Sequence, residues 1–105
     1  MTIKLVLLKS NEEVIADVKE LVDEDDKPIF IVLEDAYCCK LVEAPTMLTE
    51  GAKEGETQYS VQYYPWMPLS AEKKISIDPS WVVAIVEPTE MVKTSYEDRM
   101  NGTRN

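Results

Sequence analysis

Residues 8–18, LKSNEEVIADV, admit two readings that lead to different folds. As a helix, Val14, Val18, Leu21 and Val22 recur at helical spacing, and Ser10 with Glu13 fits a capping box. As a strand, Val14, Ala16 and Val18 alternate with Ile15, Asp17 and Lys19. Lys9 to Glu12 then becomes the turn of a β-hairpin.

The flanking sequence favours the strand. Ile3 to Lys9 (IKLVLLK) is apolar on both faces and rich in branched residues, which suits a pleated surface. Downstream, VDEDDKP (22–28) is a polar turn with a proline, and IFIVL (29–33) opens another β run. Three β-type segments with short links predict an antiparallel meander. A helix between parallel strands needs a crossover of about a dozen residues or more, which this segment could only just supply. The local pattern alone therefore leaves both readings open.

Beyond Leu33 the β run continues irregularly through Ala36, Tyr37, Cys38, Cys39, Lys40, Leu41 and Val42. Glu43 to Thr57 forms the main loop. Tyr59, Val61 and Tyr63 alternate with Ser60 and Gln62, a half-buried strand that Pro65 and Pro68 end or place at an edge. Ser70 to Lys73 reads as a polar turn. Ile75 and Ile77 restart a strand, Asp78-Pro79-Ser80 interrupts it, and WVVAIVEP (81–88) completes it. The run Trp81 to Val86 is apolar at every position, whereas a strand with one wet face would alternate. It should be covered on both faces, by the chain's own core and by another subunit. Pro88 and Thr89 suit a helix start, with Val92, Tyr96 and Met100 on one face, and Asn101 to Asn105 should fray.

With 105 residues the chain has enough for one core and not for two. Twenty acidic residues face eleven basic ones, a net charge of −9, which argues against a duplex-DNA-binding face. No apolar run approaches the ~20 residues of a membrane span. The N-terminal apolar run has no small-residue cleavage site and is followed directly by charge, so a signal peptide is not expected. A cytoplasmic location is expected. The adjacent Cys38 and Cys39 should point to opposite faces of a strand and stay reduced, an interchain disulfide being the alternative.

No catalytic centre, metal or cofactor is expected. Histidine is absent, and Glu34 and Asp35, as strand neighbours, point apart. Asp23, Glu24, Asp25 and Asp26 begin like a calcium loop, but Pro28 stands where the sharp turn needs glycine. The simpler reading is a solvated hairpin tip. The aromatic residues Tyr59, Tyr63, Tyr64, Trp66 and Trp81 could stack on single-stranded bases. Their apolar neighbours and the scarcity of nearby positive charge favour core and interface packing. Lys73 and Lys74 are the nearest cations.

Several segments resemble the Sm-like family. VLLKSNEEVIADVKEL is similar to the first two strands of an Sm motif. Leu33-Glu34-Asp35-Ala36 resembles the L-x-D-A late in its third strand. ISIDPSWVVAIV sits where the second motif would lie. The likeness spans Ile3 to Glu87 and, with YYPWMPLS, is nearest to the small Sm-like proteins of tailed marine phages. It implies a mostly β fold, a small, strongly bent five-stranded antiparallel barrel over residues 1–88, to which this chain adds a C-terminal helix and frayed tail over 89–105. It also implies a non-catalytic homo-oligomeric ring that pairs fourth and fifth strands between neighbours. The expected subunit interface is then Tyr59, Val61, Tyr63, Trp81, Val83 and Ile85. Single-stranded RNA is the second partner the likeness implies; the residues themselves, not the likeness, put Lys73, Lys74 and Trp66 forward as first contacts. The chain departs from the family in three places. Its helix follows the strands instead of preceding them, VDEDDKP lacks the uridine-binding Asn, and Asp78-Pro79 replaces Arg-Gly. None of the family's RNA-binding residues therefore carries over. A protein-interaction scaffold of the same fold without nucleic-acid binding is the alternative, and a small enzyme using the acidic residues a third.

Overall fold

The structure, a computed structural model, describes residues 2–43 and 59–102. The segment 8–18 is a hairpin. β1 (Ile3–Leu8) pairs antiparallel with β2 (Glu13–Val22), Val6 opposite Val14 and Leu5 opposite Ile15. The turn closes with Leu8 N–H donating to Glu12 O at 3.0 Å and Asn11 N–H to Leu8 O at 2.9 Å. Asn11 takes a left-handed φ of 70°, a conformation its short polar side chain tolerates.

β3 (Pro28–Glu43) pairs with β2, β4 (Tyr59–Pro65) pairs with the second half of β3, and β5 (Lys74–Ile77) with its first half. β6 (Val82–Val86) returns to pair with β1. The order is β4-β3-β2-β1-β6, with β5 beside β3. The stretch from Ile75 to Val86 is thus not one interrupted strand, as its sequence suggested. Asp78-Pro79-Ser80 is a crossover from the β3 side of the sheet to the β1 side, and the described residues hold six strands where five were expected.

That crossover dictates the shape of the sheet. Laid flat, β5 and β6 would lie four strand spacings apart, about 19 Å. Ile77 is joined to Val82 only through Asp78 and a 3-10 turn at Pro79–Trp81, whose reach is roughly 10–12 Å. The sheet must therefore curl to bring its margins together. Val6, Leu8, Val14, Ala16, Val18, Ile31, Leu33 and Cys38 form the main core inside the curl, with Ile77, Val82 and Ile85 packed against it from the two margins. No ladder joins β6 to β4 or β5 among the described residues, so the sheet is curled but open.

The bend in β3 has a visible cause. Ile15 faces Tyr37 and Asp17 faces Glu34, so Asp35 and Ala36 together oppose Ala16 alone, a β-bulge. Asp35 has a left-handed φ of 53°. The fourth-strand region is interrupted at the same point. Trp66 N–H donates to Ala36 O and Asp35 N–H to Lys73 O, both at 3.0 Å, which pins residues 66–73 as an excursion at its two ends. Replacing Asp35 with Val should destabilise the chain by about 1–2 kcal/mol, because a β-branched residue resists this φ. Asp35→Gly should stay within about 0.5 kcal/mol of wild type, the relief of φ offsetting the entropy of the unfolded chain. Urea midpoints of the two variants check this.

α1 (Glu90–Gly102) covers the other face of the sheet. Thr89 caps it, its Oγ1 accepting the Val92 N–H at 3.3 Å. The expected face is observed: Tyr96 is buried with Ile3 and Ile15, and Val92, Met100, Leu5, Tyr37, Cys39 and Tyr63 pack around them. The Tyr96 hydroxyl donates to Asp35 O at 2.8 Å, so the helix is tied to the bend itself. Asn101 and Gly102 belong to the helix instead of fraying. Of the expected loop from Glu43 to Thr57, Glu43 instead ends β3, and the rest, like the last three residues, lies outside the described residues.

Candidate assembly interface

Among the described residues three strands are paired on one side only: β6 has β1, and β4 and β5, which share one margin, each have β3. An open edge presents a row of backbone donors and acceptors that another chain can pair with.

At the β6 margin the run Trp81 to Val86 is covered on one side only. Val82 and Ile85 pack against the main core. Val83 is 60% exposed, Val86 50% and Trp81 48%. The run does not alternate in the usual way for two reasons. Trp81 ends the 3-10 turn, and Val83 falls at a register shift, since Leu8 opposes Val82 while Leu7 opposes Ala84. Lys9 anchors this margin, its N–H donating to Trp81 O at 2.9 Å and its ammonium lying 5.9 Å from the Trp81 ring centroid. Lys4 and Glu87 form an ion pair beside it.

At the β4 margin the expected residues divide. Tyr63 is half-buried in the helix-side core, with the Arg99 guanidinium 5.5 Å from its ring and 5.9 Å from that of Tyr37. Val61 is half-buried opposite Leu41. Tyr59 opens the strand opposite Glu43, and its side chain lies outside the described residues. Among the six expected interface positions, Trp81 and Val83 are free surface, whereas Tyr63 and Ile85 already pack within the subunit.

The three residues expected to contact RNA do not converge. Trp66 is half-buried against the main core, near enough to Glu12 to help lower the pKa of its carboxyl. Lys73 lines a cleft of about 230 Å³ beneath the excursion, with Asp35, Tyr37, Met67 and Glu72. Lys74 lines a different cleft of about 200 Å³, with Asp17, Lys19, Leu21, Val32 and Glu34. As neighbours at the start of a strand, the two lysines serve opposite faces.

Asp23 to Asp26 form the tip of the β2–β3 hairpin. Asp23 Oδ1 accepts the N–H groups of Asp25 and Lys27 at 2.8 and 2.9 Å. Its carboxylate therefore serves the turn itself. No cluster of three or more metal-ligating side chains occurs among the described residues. Sequence reasoning missed the flanks of this tip: Leu21, Val22, Ile29 and Phe30 are all about half exposed. The signal was present, in apolar pairs lying directly against a four-acid turn, but a β pattern alone does not say that they stand exposed.

Cys38 and Cys39 point to opposite faces, one in each core. The Glu12 carboxylate is held below its usual range by the Ser10 hydroxyl at 2.8 Å, and it also accepts from the Cys38 thiol at 3.4 Å. Burial pushes both thiols up to about 11 from 9.0. A raised thiol pKa favours the neutral form in the folded state. The stability it contributes is complete below pH 9 and is lost as pH rises towards 11. The urea midpoint should fall across that window, by an amount equivalent to roughly 1–2 kcal/mol. Replacing both cysteines with alanine should remove most of that pH slope, which denaturation at pH 8 and 10.5 would read.

No helix among the described residues is long and apolar enough to cross a membrane. No protein-family model and no curated protein matches the chain.

Proposed function

We propose that the protein is a non-catalytic Sm-like module that closes into a homo-oligomeric ring and serves as a scaffold. The strand order carries this reading. A curled antiparallel sheet whose last strand returns to the first leaves its last strand free at one margin and its fourth strand, beside the short β5, free at the other. These are the strands that the Sm-like family pairs between neighbours. Joining the β6 edge of one subunit to the β4 edge of the next is a head-to-tail contact, which closes into a ring where the rotation permits. It pairs both edges and covers Trp81, Val83 and Val86.

The scaffold reading is favoured over RNA binding by the separation of Lys73, Lys74 and Trp66 and by the net charge of −9. Light scattering at micromolar concentration tests the ring. A particle several times 12.0 kDa is expected, and a monomeric mass unchanged by dilution or high salt would refute it. Fluorescence anisotropy with short U-rich and A-rich RNA at low and moderate salt tests the partner. A flat curve to tens of micromolar is expected, and saturable binding would restore the RNA role.

A further inference from the structure

The far end of the β2–β3 hairpin is a separate feature. β1 pairs with β2 only from Glu13 to Asp17, and β5 pairs with β3 only from Ile31 to Glu34. Between those limits Leu21 still faces Phe30 and Val22 faces Pro28. Residues 21–30 are therefore a two-stranded ribbon projecting past the sheet, and every one of them is exposed. Such a ribbon is marginal alone in water, and solvated ribbons are ordinarily polar. This one carries the cross-strand pair Leu21 (51% exposed) and Phe30 (46%), with Val22 and Ile29 next to them. On the same face as Leu21, the 200 Å³ cleft between Leu21 and Val32 opens at the ribbon's base. It has room for one apolar side chain.

We propose that this ribbon is a docking arm for another protein, one that inserts an apolar side chain beside Leu21 and Phe30 and rims it with lysine or arginine. Charge selects the occupant. Glu20, Asp23, Glu24, Asp25 and Asp26 lie along the ribbon and its tip, against Lys19 and Lys27, while the cleft at its base is balanced, with Asp17 and Glu34 beside Lys19 and Lys74. A second copy would bring its own net charge of −9 to this acidic arm, whereas a basic rim is attracted to it and orients the contact. The Asp23 turn holds the tip in one shape, so little ordering opposes binding. The inference rests on a single subunit and does not require the ring.

The test is an NMR titration of the full chain with three synthetic nine-residue peptides at low salt: alternating Lys and Leu, alternating Lys and Ser, and alternating Asp and Leu. The Lys–Leu peptide is expected to shift the amides of residues 19–32. It should bind at least tenfold more tightly than either of the others, and at least tenfold more weakly to the exposed-site double variant Leu21→Ser, Phe30→Ser. Equal binding of the Lys–Ser peptide would reduce the arm to bulk electrostatics and overturn the proposal. So would shifts that map to the β4 or β6 edge, or no binding at millimolar peptide. Shifts of residues 19–32 that depend on protein concentration without peptide would make a second copy the occupant and also overturn it. The native mass of the double variant should equal that of wild type, which keeps this result separate from the ring.

Discussion

Val83→Asp is expected to reduce the native particle to a folded species near the 12.0 kDa subunit mass. The side chain is 60% exposed at the β6 register shift, so a charge there meets water in the isolated subunit and the fold survives. In the proposed ring the same position would lie against the neighbouring subunit. Covering a Val or Ile side chain contributes about 1.5–3 kcal/mol, and Trp81 and Val86 add to that at the same margin. An unpaired carboxylate reverses the sign of the contact. Repulsion between acidic subunits is screened beyond about 8 Å at physiological salt, so in wild type it does not prevent assembly. Ile85→Asp is the contrast. Ile85 packs against the main core, so that variant should lose its fold and not merely its partners. A Val83→Asp protein with wild-type mass would remove β6 from the interface.

Asp17→Pro is expected to abolish folding. Asp17 sits in β2 between Ile3 of β1 and Glu34 of β3, and its carboxylate accepts the Thr2 N–H at 2.9 Å. Proline removes a ladder donor at the centre of the sheet and fixes φ away from the extended range, and it deletes the side-chain acceptor as well. Those losses together rival the whole stability of a small domain, about 5–15 kcal/mol. The amide spectrum should collapse to the narrow dispersion of an unfolded chain. Asp17→Asn, which keeps an acceptor, should fold. A well-dispersed spectrum for the proline variant would mean that this position is not in a central ladder.

The hairpin was legible because its signals are local: alternating Val14, Ala16 and Val18, a polar Asn11 able to adopt a left-handed turn, and apolar runs on both sides. The helix was legible for the same reason, from Thr89 and the spacing of Val92, Tyr96 and Met100. The partner of Lys74–Ile77 was not, because Asp78-Pro79 reads identically as a break within one strand and as a crossover between two. Only the long-range pairing with Ile31 to Glu34 decides it. The bulge at Asp35 was hidden too, since nothing in LEDAYCC marks a non-glycine residue for positive φ. Exposure was the weakest inference. The sequence offers Trp66 as a base contact and Tyr63 as an interface residue, yet Arg99 and the two cores already engage them. Nothing in its β runs marks Leu21 and Phe30 for water, where they stand half exposed.

The excursion at residues 66–73 shows where this chain can change length without consequence. Its two ends are closed by hydrogen bonds to adjacent residues of β3, Trp66 to Ala36 and Lys73 to Asp35, so β4 and β5 keep their register whatever lies between. Leu69 at its crest is fully exposed. A cassette spliced there, an epitope or a fluorophore attachment site, would ride outside the sheet. Related chains would be free to diverge there in size while keeping every strand in place.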